Sequence, residues 1–206
     1  MKKILIGLAT GLLMTGMATV GNAAPITLVE AGSEWSYSIL STDLWADWNG
    51  ASLFDWNTVT WGNTGNAAFG NDYNGTLAYS TYWAANTDLA LQQAFELSGV
   101  LTSAVTLNIA SDNGFIVFIN GQEVAKENAE GYTYKWEYQL SVPVEFFRDG
   151  SNLIQVLAED HGTATFFDLE LTGDKETTPV PEPTTMLLFG TGLAGLAGIA
   201  RRRRNA

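Results

Sequence analysis

The stretch Val105-Thr106-Leu107-Asn108-Ile109-Ala110-Ser111-Asp112-Asn113-Gly114-Phe115-Ile116-Val117-Phe118-Ile119-Asn120-Gly121 decides the fold class. Val105, Leu107 and Ile109 alternate with Thr106 and Asn108, the period of a strand with one buried face. Ser111 to Gly114 are turn formers, and Phe115–Ile119 is an apolar run short enough for a fully buried strand. Asn120-Gly121 then supplies a pair that tolerates positive φ at both positions, as a two-residue hairpin turn requires.

The same grammar continues downstream. From Tyr132 to Val144 every even position is apolar (Tyr132, Tyr134, Trp136, Tyr138, Leu140, Val142, Val144), while every odd one is polar or proline. This predicts one long strand over 132–144, bent near Pro143. Asp149 to Asn152 turns the chain, Leu153–Ala158 reads as a further strand and Phe166–Leu171 as the last. Only Thr87–Ala94 has the composition for one or two helical turns. Short strands joined by polar turns predict an all-β fold, an antiparallel β-sandwich or jelly roll over residues 24–173.

Composition bounds the chemistry. The 206 residues carry 22 acidic and 10 basic groups, one histidine and no cysteine. Disulfides, thiol nucleophiles and thiolate metal sites are excluded, and so are multi-histidine sites. A net charge of −12 argues against nucleic acid, whose affinity rests on Lys and Arg neutralising phosphates. Six basic residues lie at the extreme ends: Lys2, Lys3 and Arg201, Arg202, Arg203, Arg204. Between them, residues 24–174 hold three basic against 20 acidic residues, a formal charge of −17.

Both cationic ends flank apolar runs. Lys2-Lys3, an apolar stretch from Ile4 to Val20 and the small residues Gly21 to Ala24 describe a secretory signal peptide over 1–23, cut between Ala23 and Ala24. At the other end residues 174–183 form a Pro-rich linker, stiff and extended. Thr184 to Ala200 is uncharged, and as a helix would rise roughly 26 Å, enough for a transmembrane segment held by the four cytoplasmic arginines. Gly190-x-Gly192-x-x-Gly195 spells a dinucleotide fingerprint inside this run, but no preceding strand and no acid about 20 residues on accompany it. Its small residues suit helix packing in lipid instead.

Two resemblances attach to these patterns. Val180-Pro181-Glu182-Pro183, the Gly-rich span Met186–Ile199 and the terminal arginines resemble the PEP-CTERM sorting signal. That resemblance implies recognition by an exosortase, passage through the inner membrane, and release or attachment at the cell surface. Ala94-Phe95-Glu96-Leu97, the Val105–Gly114 stretch, Phe118–Gly121 and Gly150–Val156, in that order, look like the galactose-binding-like jelly roll. Trp61 and Ala68-Phe69-Gly70 upstream fit the same picture.

Candidate sites follow from residue type. Six of the seven tryptophans lie within residues 35–83, and 11 of the 27 residues from Asn49 to Gly75 are Asn or Gly. Aromatic rings on loops beside amides suit sugars, whose C–H faces meet rings while hydroxyls meet amides. Trp45, Trp48, Trp56, Trp61, Tyr73 and Trp83 are the candidate ligand-binding residues. The competing reading is that these rings plug the ends of the sandwich. Asp112, Asn113, Asp160 and Asp168 are candidate calcium ligands, although no EF-hand spacing is present. His161 beside Glu159 and Asp160 makes no triad by itself, because adjacent strand residues point to opposite faces.

The expected function is an exported surface or extracellular-matrix protein whose jelly roll binds polysaccharide or exopolysaccharide without catalysis and without a required cofactor. A structural matrix protein stabilised by calcium is the alternative, with a glycoside-active enzyme third.

Overall fold

The computed structural model describes residues 23–71, 78–128, 135–177, 190–193 and 200–203. Residues 1–22 of the expected signal peptide, the PEP residues, Tyr73 and most of the expected transmembrane helix lie outside them. Gly190–Leu193 and Ala200–Arg203 are helical, and no helix among the described residues is long and apolar enough to cross a membrane.

Residues Ala23–Thr177 form one compact unit with twelve strands among its described residues. In chain order these are β1 (Ala23–Val29), β2 (Glu34–Leu40), β3 (Asn63–Asn66), β4 (Phe69–Gly70), β5 (Thr81–Tyr82) and β6 (Asp88–Leu97). Then come β7 (Val105–Asp112), β8 (Phe115–Ile119), β9 (Gln122–Glu127), β10 (Tyr138–Val142), β11 (Gly150–Ala158) and β12 (Phe166–Glu176). One sheet runs β10-β7-β12-β4-β5, with β1 also paired to β12; the other runs β3-β2-β6-β11-β8-β9. All pairs are antiparallel except the short β4–β5 contact. The all-β sandwich expected from the strand pattern is the architecture observed.

The β8–β9 hairpin closes at Asn120 and Gly121, with φ of 52° and 81°, as the Asn-Gly pair demands. Val105, Leu107 and Ile109 of β7 point into the core between the sheets, where they meet Phe167, Leu169 and Leu171 of β12 and Leu89 and Leu91 of β6. Trp35 and Trp83 are buried there too.

Three expectations need correction. Among the described residues, the strand expected over 132–144 is limited to β10, because Trp136 adopts a φ of 63° that no strand tolerates. After Val142, Pro143 leads into a 3-10 turn over Val144–Phe146. Thr87–Ala94 is not helical. It belongs to β6, where Leu89, Leu91, Phe95 and Leu97 face the core at period two. Ala90 and Ala94 in the alternate positions masked that period, and pairing with β2 and β11 overrides the helical preference of the residues. Finally, Ser111 and Asp112 continue β7, so the turn to β8 is only Asn113-Gly114.

The register of β12 fixes which end is which. Glu176 pairs with Ala23, so the chain enters and leaves the sandwich at one end. Phe166, at the other end of β12, pairs with Asp112 and Gly70. Ten residue steps of strand separate the two ends by roughly 33 Å.

Candidate functional site

The end of the sandwich where β12 begins collects buried charge. Asp88 opens β6, Asp112 closes β7, Asn113 and Gly114 make the turn into β8, and Glu159-Asp160-His161 follow β11. Asp88, Asp112, Asn113, Glu159 and Asp160 are all buried. Buried carboxylates need donors, and the local backbone supplies them. Asp88 accepts from the N–H of Leu44 at 2.6 Å and of Asp160 at 3.0 Å. Glu159 accepts from the Gly114 N–H at 3.3 Å, and its other oxygen lies 2.6 Å from Nδ1 of His161. Asn113 Oδ1 accepts from the His161 N–H at 3.2 Å. Asp160 Oδ2 accepts from the Asn86 N–H, while its Oδ1 is buried with no hydrogen-bond partner among the described residues.

Burial raises the pKa of Asp88, Glu159 and Asp160 above the ordinary carboxylate range. For Asp88 the N–H groups of Leu44 and Asp160 oppose that rise, and the charges of Asp43 and Asp160 add to it. For Glu159 the bond to His161 is the main opposing influence. For Asp160 the Asn86 N–H opposes it most, followed by the Gly162 N–H, which favours the charged form without closing a hydrogen bond to Oδ1.

A tryptophan-rich segment covers this end. Its backbone is a chain of short 3-10 turns, Trp45–Asp47, Gly50–Leu53 and Trp56–Thr58. Each is started by an acid that bonds a backbone N–H two or three residues on: Asp43 to Ala46, Asp47 to Gly50 and Asp55 to Asn57. Trp45 stacks on His161, ring centroids 4.2 Å apart and planes at 25°, and keeps 37% of its surface exposed. Trp48 lies edge-on to Gly114; a Cβ there would come 2.9 Å from the Trp48 ring, so only glycine lets the turn approach it. Lys126 of β9 holds the segment down. Its Nζ donates to the Trp48 carbonyl and, at 2.9 Å, to Ser52 Oγ, and lies 5.2 Å from the centre of the Trp48 ring. Lys126→Met, which keeps the stem and removes these charged donations, is expected to lower stability by about 1.5–3 kcal/mol. Chemical denaturation followed by tryptophan fluorescence checks this.

Beside Trp45 opens a cleft of ≈ 170 Å³, lined among others by Thr42, Asp43, Asn86, Asp88, Asp160 and His161.

The aromatic candidates separate into three environments. Trp45 stands at the charged end and Trp48 is half-buried beside it. Trp56 and Trp61 are half-buried on the outer face of the second sheet, packed over Ile116, Phe118 and Leu157, with ring planes within 10° of each other. Trp83 is not a surface ring at all. It is fully buried, and its indole N–H donates to the Thr87 carbonyl at 2.9 Å, so it belongs to the core.

Of the calcium candidates, Asp112, Asn113 and Asp160 come to one end of the sandwich, and Asp168 does not. Asp168 lies on the outer face of the first sheet, 2.9 Å from Lys135 Nζ, and it accepts from the N–H of Gly32 and Leu169. No group of three His, Asp or Glu side chains converges on a metal position among the described residues. The fit is therefore partial. A Cβ on Gly162 would stand 3.6 Å from Asp160 Oδ1 and 3.8 Å from Asn113 Oδ1, so two acceptor oxygens face one small space. Backbone carbonyls or ligand hydroxyls would have to supply the rest of a six- to eight-oxygen shell.

Asp88 and Lys126 carried no signal in the sequence, because their partners lie far along the chain. The Glu159–His161 pair was legible only as proximity.

Residues 179–204 match the PEP-CTERM protein-sorting motif. The chain carries an exosortase sorting signal. The motif supports an exported protein that is processed at the membrane and reaches the cell surface. No curated protein matches it. Among solved structures, a β-glucuronidase from Ruminococcus gnavus aligns over 75% of this chain and 30% of its own, at 10% identity and a TM-score of 0.48. A PA14 sugar-binding domain from an RTX adhesin aligns over 68% and 67%, at 20% identity and a TM-score of 0.33. An α-L-rhamnosidase from Streptomyces avermitilis aligns over 48% and 10%, at 22% identity and a TM-score of 0.36. The chain spans less than a third of the length of either glycosidase.

Proposed function

We propose that the exported sandwich, a jelly roll of the galactose-binding-like kind, is a non-catalytic module that binds neutral polysaccharide at the end carrying Trp45. One observation carries this reading: the half-exposed Trp45 ring stacks on His161, and His161 lines a cleft together with the buried carboxylates Asp88 and Asp160. A ring face and fixed acceptors are what a sugar's C–H face and hydroxyls require. The Asp160 Oδ1, which has no hydrogen-bond partner among the described residues, is the acceptor a ligand hydroxyl or a calcium ion would satisfy. Calcium held by Asn113 and Asp160, with Asp112 adjoining, would add fixed positive charge to which vicinal hydroxyls coordinate.

The test is a glycan array on residues 24–177, with millimolar calcium or with chelator. Binding of neutral glycans is expected, weakened at least tenfold by Asp160→Asn. An array without any signal in calcium defeats the proposal and favours a structural matrix protein. Release of shorter products from exopolysaccharide by the pure domain would make it an enzyme instead.

A further inference from the structure

The cleft beside Trp45 does not end there. Leu40, Ser41 and Thr42, which line it, also line a second cleft of ≈ 340 Å³ between the end of β2 and the Phe54–Thr60 segment. The two hollows therefore adjoin along one short piece of backbone. The first alone, at ≈ 170 Å³, is small against the roughly 300–1,000 Å³ of small-molecule sites; with the second the space reaches that range. The lining of the second is of one character. Ser38, Ser41, Thr42, Thr58 and Thr60 present hydroxyls between the apolar Ile39 and Val59. Ile39 is 50% exposed and offers an apolar surface beside these hydroxyls. The side-chain hydroxyls of Ser41, Thr42 and Thr60 bond to no described residue. Phe54, also in the lining, meets Trp56 edge to face at 5.1 Å, and Trp56 lies parallel to Trp61, which holds the wall rigid.

We infer that these two hollows are one groove, and that the module binds an internal stretch of a polysaccharide chain across several sugar units and not a single terminal sugar. The inference rests on the proposed sugar-binding reading of the Trp45 end and extends it along Leu40–Thr42. Hydroxyls spaced among apolar side chains match the alternation of hydroxyls and C–H faces along a glycan. A second wall of neutral hydroxyls, with no lysine or arginine in either lining, selects an uncharged chain over an anionic one.

The experiment titrates the full chain, held in a detergent without a sugar headgroup, with neutral gluco-, manno- and galacto-oligosaccharides of one and of six units. Calorimetry reads the dissociation constants. For the series that binds, the six-unit member is expected to bind at least tenfold tighter than the single sugar. Thr60→Arg, an exposed position at the far cleft, should bring the six-unit affinity down to that of the monosaccharide while the monosaccharide is unaffected. Thr60→Ser should retain the length dependence, which separates blockage from misfolding. Equal affinity for one and six units overturns the groove and leaves the Trp45 site standing. No binding by any member overturns both.

Discussion

Trp83→Ala is expected to cost about 3–5 kcal/mol of stability, whereas Trp45→Ala should change stability by less than about 0.5 kcal/mol and remove glycan binding. The two residues have the same side chain and came from the same tryptophan-rich third of the sequence. What separates them is burial: none of the Trp83 surface is exposed, against 37% for Trp45. Removing Trp83 leaves a cavity lined by core residues that cannot collapse, and it strands the Thr87 carbonyl that the indole N–H satisfied. Removing Trp45 uncovers His161 but empties nothing inside. Urea denaturation of both variants, with a glycan-binding assay on Trp45→Ala, reads the contrast. A Trp45→Ala protein that keeps full affinity would move the site away from that ring, and a stable Trp83→Ala protein would contradict the packing. Trp48, Trp56 and Trp61 should fall between, because their rings close the outer face of the second sheet over Ile116, Phe118 and Leu157.

How much of this was legible in the sequence depended on whether a signal was local. The hairpin at Asn120-Gly121 and the strand β8 could be read to the residue, because turn chemistry and a five-residue apolar run are properties of neighbours. β6 was hidden because its outward positions include alanines, so two faces looked alike and the period of two vanished. β10 was overextended because alternation at Tyr132 to Trp136 said nothing about backbone φ, and Trp136 turns the chain. The site suffered from the same distinction. Asp112, Asn113 and Asp160 stood out as acidic or amide residues beside turns; all three lie at one end of the sandwich, and oxygens of Asn113 and Asp160 face one small space. Asp168 had equal chemistry, yet the alternation of β12 sends it to the outer face while Phe167 and Leu169 face the core. Asp88 could not have been picked, since its role comes from the backbone N–H groups of Leu44 and Asp160, brought to it only by the fold.

Without divalent cations, stability should fall as pH rises from about 4 toward 8, the reverse of ordinary acid denaturation in a protein whose acids are salt-bridged. Asp88, Glu159 and Asp160 each have a folded-state pKa above the unfolded value, burial being the first cause in all three. Between the unfolded and the raised folded pKa the native state binds more protons than the unfolded chain. The slope of unfolding free energy with pH is therefore negative across that window. Their contribution is greatest below the unfolded carboxylate pKa and is lost as pH climbs through the folded values. The −17 of residues 24–174 acts in the same direction, because self-repulsion grows as carboxylates ionise. If calcium binds as proposed, it opposes both: an ion beside Asp160 Oδ1 and Asn113 would favour the charged form and stabilise the native state according to its concentration over its dissociation constant. Thermal melts of residues 24–177 at pH 5 and pH 8 in chelator should give the higher midpoint at pH 5. Millimolar calcium should raise the pH 8 midpoint more than the pH 5 one, and magnesium or sodium at matched ionic strength should not. A midpoint that rises with pH in chelator would mean that these carboxylates are better satisfied in the folded state than their burial allows. A calcium effect equal at both pH values, or shared by magnesium, would take the ion away from Asn113 and Asp160 and leave it as general screening of an acidic surface.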